Sequence, residues 1–275
     1  MTKGGNQGEY LFGVNQAELE RLRFQHGVWK GVTDRFFDRI GVCPGWQCLD
    51  VGAGPGFVTI DMRERVGENG GIVAIEPSQL YSDWLRGEVA RRGWVNVECL
   101  TAPAEEAIVP PGRFDLIFAR WVLSFVSDPG AFFGRLIRSL KPGGVVAVED
   151  YYYEGLSLYP IGGPFGKMAE VVRAHYRGAG GDPYIAGALP EAFRKLGLVL
   201  IDFSPNCLAG GPESAIMEWG HRFFTVHIDP MVQKGLLSRA EADTILADWH
   251  AHRRNPDALF FSPIVVDVAA RLPKS

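Results

Sequence analysis

At 275 residues the chain has room for one large domain, and 47% apolar residues supply a sizeable core. Twenty-eight Lys and Arg against 32 Asp and Glu give a formal charge of −4, which leaves no basic footprint for a nucleic-acid partner. No apolar run reaches the length of a membrane span, and Met1-Thr2-Lys3-Gly4-Gly5 lacks the apolar core of a signal peptide, so a cytoplasmic protein is expected. The four cysteines, Cys43, Cys48, Cys99 and Cys207, form no CxxC and no Cys/His cluster, so reduced thiols and no metal are expected.

From Glu18 to Ile40, the residues Leu19, Leu22, Trp29, Val32, Phe36 and Ile40 recur at helical spacing, and Pro44-Gly45 ends the pattern. Strands and helices then alternate. Strands are predicted over Gln47–Val51, Gly71–Ile75, Val95–Leu100, Phe114–Ala119 and Val145–Asp150. Helices are predicted over Phe57–Val66, Ser78–Arg92 and Pro129–Leu140, with Ser78 as an N-cap. Lys141-Pro142-Gly143-Gly144 reads as a turn. This rhythm predicts an α/β, Rossmann-like, doubly wound fold with a mostly parallel seven-stranded sheet.

After Asp150 the rhythm breaks. Helices are predicted over Pro164–Arg177, Pro190–Leu196, Pro212–Phe224 and Ser238–Arg253, with late strands over Leu198–Phe203 and Ile264–Leu272. These helices are too many for crossovers alone. The expected organisation is an N-terminal helical cover (1–45) and a domain over 46–275, with helical lid insertions at about 155–190 and 208–256.

The run Leu49-Asp50-Val51-Gly52-Ala53-Gly54-Pro55-Gly56 reads as a strand ending in a glycine turn that opens a helix. Glu76 follows twenty residues after Gly56, where the next strand would end. An acid at that tip can accept both hydroxyls of a ribose, which points to a nucleoside-like cofactor. The dinucleotide fingerprint needs a third glycine at position 57, which is Phe57 here.

With these motifs in place, the chain resembles the class I S-adenosylmethionine-dependent methyltransferases of the UbiE-like small-molecule type. Leu49–Gly56 matches the family's first motif. Ala74-Ile75-Glu76-Pro77 matches the second, whose acid holds the ribose hydroxyls. Phe114–Leu123 is similar to the fourth-strand motif, and Leu140-Lys141-Pro142-Gly143-Gly144 to the turn before the fifth strand. The resemblance implies S-adenosyl-L-methionine as cofactor, held by Asp50, Gly52, Ala53, Gly54, Glu76, Pro77, Arg120 and Trp121. It departs at Pro103, where the family often has an acid facing the adenine amino group; Glu105 and the Ala104 N–H are the substitutes. Ser124 and Phe125 occupy places where the family often has histidines, which excludes a histidine base there. Tyr10, followed by Glu18, Arg21 and Gln25 on one helical face, resembles a segment that closes over the methionine end of the cofactor in related enzymes.

Methyl transfer from a sulfonium asks the protein mainly to align donor and acceptor. The expected activity is in-line methyl transfer to a small, apolar or aromatic metabolite. Tyr151, Tyr153, Trp219 and Phe223 are expected to hold that acceptor, with His221 as the most available base. Two alternatives stand beside this reading: a nicotinamide-dependent oxidoreductase and a non-catalytic cofactor-binding protein. The expected partner is a small-molecule substrate, with no nucleic acid or membrane, for a monomer or homodimer.

Overall fold

The computed structural model describes residues 16–274; Tyr10 lies outside them. In chain order come α1 (Gln16–Ile40), β1 (Gln47–Val51), α2 (Phe57–Val66), β2 (Gly71–Ile75), α3 (Gln79–Arg91), β3 (Val97–Leu100), β4 (Phe114–Arg120), α4 (Pro129–Leu136) and β5 (Leu140–Tyr152). Then follow β6 (Ser157–Tyr159), α5 (Met168–Gly178), α6 (Ile185–Lys195), β7 (Val199–Asn206), β8 (Ala209–Gly210), α7 (Ala215–Gln233), α8 (Arg239–Arg254), β9 (Leu259–Phe261) and β10 (Ile264–Arg271).

Seven strands form one sheet in the order β3-β2-β1-β4-β5-β10-β7. β1 pairs in parallel with both β2 and β4, so Asp50 lies opposite Ala74 on one side and Phe118 on the other. β10 runs antiparallel between β5 and β7. This is the Rossmann-like α/β fold predicted from the alternating pattern. The central strands read as nearly continuous apolar runs because helices cover both faces of the sheet, and every residue of β2 is buried.

Three local differences have physical causes. Lys141-Pro142-Gly143-Gly144 belongs to β5 rather than to a free turn. The strand absorbs it with a register shift against β4, and Gly143 takes φ +81°, open to glycine without strain. α6 starts at Ile185, ahead of Pro190, and α7 runs on to Gln233 through Pro230. In both, burial of a long apolar stripe outweighs the hydrogen bond that an internal proline forgoes. β6, β8 and β9 form a separate three-stranded sheet with no expected counterpart. Strands of two or three residues are too short to show a period.

α1 serves two bodies at once. Its C-terminal half packs Phe36, Phe37 and Ile40 against Cys48, Leu116, Phe118 and Ala147 of the sheet. Its middle turn carries Trp29 into a second core with α5, α7 and α8. α6 joins the sheet layer, where Ile185, Leu189 and Phe193 pack with Val146, Val148 and Val268. The second core therefore stands on α5, α7, α8 and the small sheet. Among the described residues, no helix is long and apolar enough to cross a membrane.

Trp29 is fully buried and meets Trp121 edge-on at 5.9 Å and Trp219 at 5.8 Å between ring centres. It joins α1, the tip of β4 and α7. Trp29→Ala should destabilise the protein by about 3–5 kcal/mol in urea unfolding, as large core aromatics do.

Candidate functional site

The carboxyl ends of β1, β2 and β4 meet where the connection from β1 leads one way along the sheet, to β2, and that from β4 leads the other way, to β5. Such a switch point leaves a crevice at the strand tips. The turn after β1 takes left-handed backbone at Gly52 (φ +67°), Gly54 (φ +56°) and Gly56 (φ +79°). The three glycines differ in what surrounds them. A Cβ on Gly52 would lie 2.5 Å from a Val122 methyl, and one on Gly56 would strike Leu85. A Cβ on Gly54 would meet nothing within 4 Å among the described residues. Ala53 is tied down by its N–H, which donates to the Ile75 carbonyl at 3.0 Å.

Glu76 stands at the end of β2, only 9% exposed. Its Oε2 accepts the Gly54 N–H at 2.8 Å and its Oε1 accepts the Ser78 N–H at 2.9 Å. Each oxygen keeps a further lone pair for a ligand hydroxyl. Burial pushes this carboxyl above its usual range, and the Ser78 and Gly54 N–H groups pull it back. Asp50 lies beneath the turn and accepts the Thr59 hydroxyl at 2.6 Å. Burial raises its pKa to about 6, against the pull of Thr59 and Arg120. Pro77 is exposed on the rim. In the loop after β3, Ala104 packs against the core beneath, and the Glu105 side chain is exposed while its carbonyl accepts from Arg135.

At the end of β4, Trp121 takes φ +54°, rare for a bulky residue and costly unless the surroundings impose it. Its ring stacks at 6.2 Å on Tyr151, and its Nε1–H is buried with no partner among the described residues. Next to it, Asp150 Oδ2 accepts the N–H groups of Leu123 at 2.8 Å and Ser124 at 3.2 Å. That carboxylate, which the sequence reading did not single out, fixes the turn after β4. Arg120 is nearly buried, and its guanidinium donates to Thr33 Oγ1 at 3.0 Å and lies 3.1 Å from His26 Nδ1. Its bonds run inward to α1.

α1 carries a polar ladder over this region. Arg21 makes a two-pronged ion pair with Glu18, both contacts at 2.7 Å, and donates to Gln25 Oε1 at 2.9 Å. The same Gln25 oxygen accepts Trp219 Nε1–H at 3.0 Å. One amide oxygen thus ties the α1 ladder to α7. Tyr151 and Tyr153 are both buried and meet at 5.3 Å, whereas Tyr152 points the other way and is exposed. This is the two-residue alternation of a strand.

α7 turns Trp219, Phe223, His227 and Met231 to one buried face. His221, expected as a base, stands on a different face of α7. It lies about 200° around the helix from Trp219. There it accepts Trp249 Nε1–H at 3.3 Å and faces His250 at 5.7 Å, against α8. The inward histidine of α7 is His227, tilted against Phe223 with ring centres 4.5 Å apart. Its signal was present in the sequence as the four-residue spacing from Trp219 and Phe223. His175 on α5 is also buried.

Two surface clefts lie elsewhere, one around Gln47, Asn96 and Arg113 where β1 to β4 begin, and one around Pro212 and Arg254. Neither touches the glycine turn.

Residues 49–148 match the protein family described as Methyltransferase domain. The chain is 28% identical over 195 residues to the demethylmenaquinone methyltransferase of Lactococcus lactis, covering 66% of this chain and 76% of that protein. It is 30% identical over 151 residues to the ubiquinone/menaquinone biosynthesis C-methyltransferase UbiE of Vibrio vulnificus, and the match spans 55% of that relative's length and 54% of this chain. The fold is similar to that of a SAM-dependent methyltransferase from Aquifex aeolicus, with TM-score 0.52 and 21% identity over 70% of this chain and 92% of that one.

Burial lowers the His175 pKa to about 4, with Lys234 adding to the effect, and lowers that of His227 to about 3, with Arg21 and His175 adding. Unfolded histidines take a proton near pH 6.5, but these two do not when folded. Their contribution to stability is therefore full above about pH 6.5 and lost as pH falls toward 4. Urea unfolding at pH 7.0, 5.5 and 4.5 should show wild type losing more stability than the double variant His175→Gln/His227→Gln. The difference should reach at most about 1.4 kcal/mol per pH unit for each histidine.

Proposed function

We infer, from the premise that this chain belongs to the class I S-adenosylmethionine-dependent methyltransferases of UbiE-like type, that it methylates an apolar or aromatic small molecule held against the tips of β4 and β5. The observation that carries this reading is the aromatic wall of Trp29, Trp121, Tyr151 and Trp219 beside the turn that joins Gly54 to Glu76. Two features of the described residues fit S-adenosylmethionine: none of them lies within 4 Å of a Cβ built on Gly54, and none accepts the buried Nε1–H of Trp121. The nicotinamide reading has no support, since Phe57 replaces the glycine that lets a pyrophosphate approach.

In this proposal Glu76 takes the ribose diol. The Gly52–Gly54 backbone, which no Cβ obstructs at Gly54, cradles the methionine end, and Asp50 holds that turn from below. The Ala104 N–H and the Glu105 segment flank the adenine, and Pro77 borders the ribose. Arg120 acts through Thr33 and His26 to keep α1 against the tip of β4. Arg21 and Gln25, with Tyr10 ahead of them, cover the cofactor. Tyr151, Tyr153, Trp219 and Phe223 face the acceptor, and α5, α7 and α8 form the lid over it. When bound, S-adenosylmethionine supplies an electrophilic methyl on its sulfonium. The chain's own work is to hold the acceptor in line and to keep water from the crevice, which its aromatic wall is suited to do.

Glu76→Ala should weaken S-adenosylmethionine binding by about 2–4 kcal/mol, because charge-assisted hydrogen bonds to the diol are lost. Gly54→Val should abolish binding in a protein that still folds. Calorimetry is the measurement, with melting temperature as the control, and wild-type affinity in either folded variant would refute the assignment. Turnover should appear on an aromatic acceptor panel that includes demethylmenaquinone, the acceptor in the lactococcal relative's name. A protein that binds the cofactor yet methylates none of the apolar or aromatic acceptors would contradict the substrate class.

A further inference from the structure

We propose that His26 is a positioning residue of the cofactor crevice: as a neutral imidazole with its proton on Nε2 it joins Arg120 to Asp61, and a second proton, on Nδ1, releases Arg120 and weakens cofactor binding. This rests on the methyltransferase reading above and names a residue of α1 through which pH acts on the same site.

His26 stands where three elements meet beside the strand tips, with only 12% of its side chain exposed. Its ring stacks at 5.6 Å on Phe57, the first residue of α2 and the one that follows Gly56. Its Nδ1 lies 3.1 Å from Arg120 Nη2 at the end of β4. The Arg120 guanidinium in turn lies 4.7 Å over the Trp121 ring. Its Nε2 lies 3.2 Å from Asp61 Oδ2 on α2. One imidazole therefore ties α1 both to the helix that opens from the glycine turn and to the strand tip that carries Trp121. With Arg120 bonded to His26 and Thr33, α1 is held against that tip, and Arg21 and Gln25 are held with it.

The partners fix the place of the proton. A guanidinium only donates, so the Nδ1 that faces Arg120 holds a lone pair. The ring proton is then on Nε2 and donates to Asp61. Asp61 needs no imidazolium for its charge, because Lys30 Nζ meets the same Oδ2 at 2.6 Å. A second proton would sit on Nδ1, and two donors would then face each other at 3.1 Å. The charged groups around the ring are Lys30 on α1, Asp61 on α2, Arg120 on β4, and Arg23 of α1, which lies 5.9 Å over Phe57. Beyond Arg120, Glu149 of β5 is 4.0 Å from it. Burial lowers the His26 pKa, Arg120 and Lys30 add to the effect, and Asp61 opposes it. The ring is therefore neutral at pH 7 and takes its second proton only below about pH 6.5. Protonation and the Arg120 contact exclude each other, so cofactor affinity is full above that pH and is lost as pH falls.

The test uses the full chain. Calorimetric titration with S-adenosylhomocysteine at pH 7.5 and 5.0 gives each protein a ratio of affinities. Groups that titrate elsewhere, Glu149 included, are common to wild type and variants and cancel when the ratios are compared. The wild-type ratio should exceed that of His26→Gln by at least about threefold, and by no more than about tenfold per pH unit, the limit for one proton. The Gln amide accepts and donates as the neutral ring does but takes no proton. His26→Phe, which keeps only the stack on Phe57, should bind at least about threefold more weakly than His26→Gln at pH 7.5. Should His26→Gln lose S-adenosylhomocysteine affinity at pH 7.5, His26→Asn replaces it under the same criteria. Nitrogen-15 spectra of the imidazoles without cofactor, with His26 assigned by its absence from the Gln variant, should show a bare Nδ1 and a protonated Nε2 at pH 7.5. The other tautomer or a doubly protonated ring, a wild-type ratio within threefold of the amide variant's, a Phe variant within threefold of the amide variant, or failure of both amide variants to bind would each overturn the proposal. Failure of wild type to bind S-adenosylhomocysteine while His26 shows the Nε2–H form would instead overturn the reading on which it rests.

Discussion

The constraint on which the rest depends is the place of β1 in the sheet. It pairs with β2 on one side and β4 on the other; the connection from β1 leads to β2 and that from β4 leads the opposite way to β5, so neither closes over the gap between them. The backbone N–H groups at that gap need acceptors. Glu76 supplies two of them, to Gly54 and Ser78, and so welds the tip of β2 to the turn after β1. Asp150 does the same for the turn after β4. Two buried carboxylates, each held by backbone donors, thus define the floor on which any ligand must rest.

Above that floor the structure uses aromatic packing rather than charge. Trp29, Trp121, Tyr151 and Trp219 come from α1, the turn after β4, β5 and α7, and each touches at least one of the others. Large rings at these distances exclude water while leaving few polar groups to satisfy. The polar exception is the ladder Glu18–Arg21–Gln25, and it ends on the indole N–H of Trp219. The helix that lies over the strand tips, α1, and the helix that borders the aromatic core, α7, are therefore held by one shared oxygen.

Much of this was legible in the residues. The βαβ rhythm, the glycine turn and the acid twenty residues on are local patterns, and local geometry makes them: strands of period two, helices of period 3.6, glycines where φ must be positive. The alternation of Tyr151, Tyr152 and Tyr153 was also readable, since a strand turns successive side chains to opposite faces. The faces of the α7 histidines were readable too. His221 drew notice as a titratable group in an apolar segment. The four-residue spacing that joins His227 to Trp219 and Phe223 was the better signal, because it says which face is buried.

What the sequence by itself determined is the α/β order of the chain, the glycine turn and the acid that meets it, because each is set by residues within one or two elements. Only the tertiary structure decided that Arg120 turns inward to α1, that Asp150 anchors the turn after β4 and that Gln25 reaches Trp219. Those contacts join residues far apart in the chain. Their geometry follows from how α1, α5 and α7 pack over the sheet, and no local period records it.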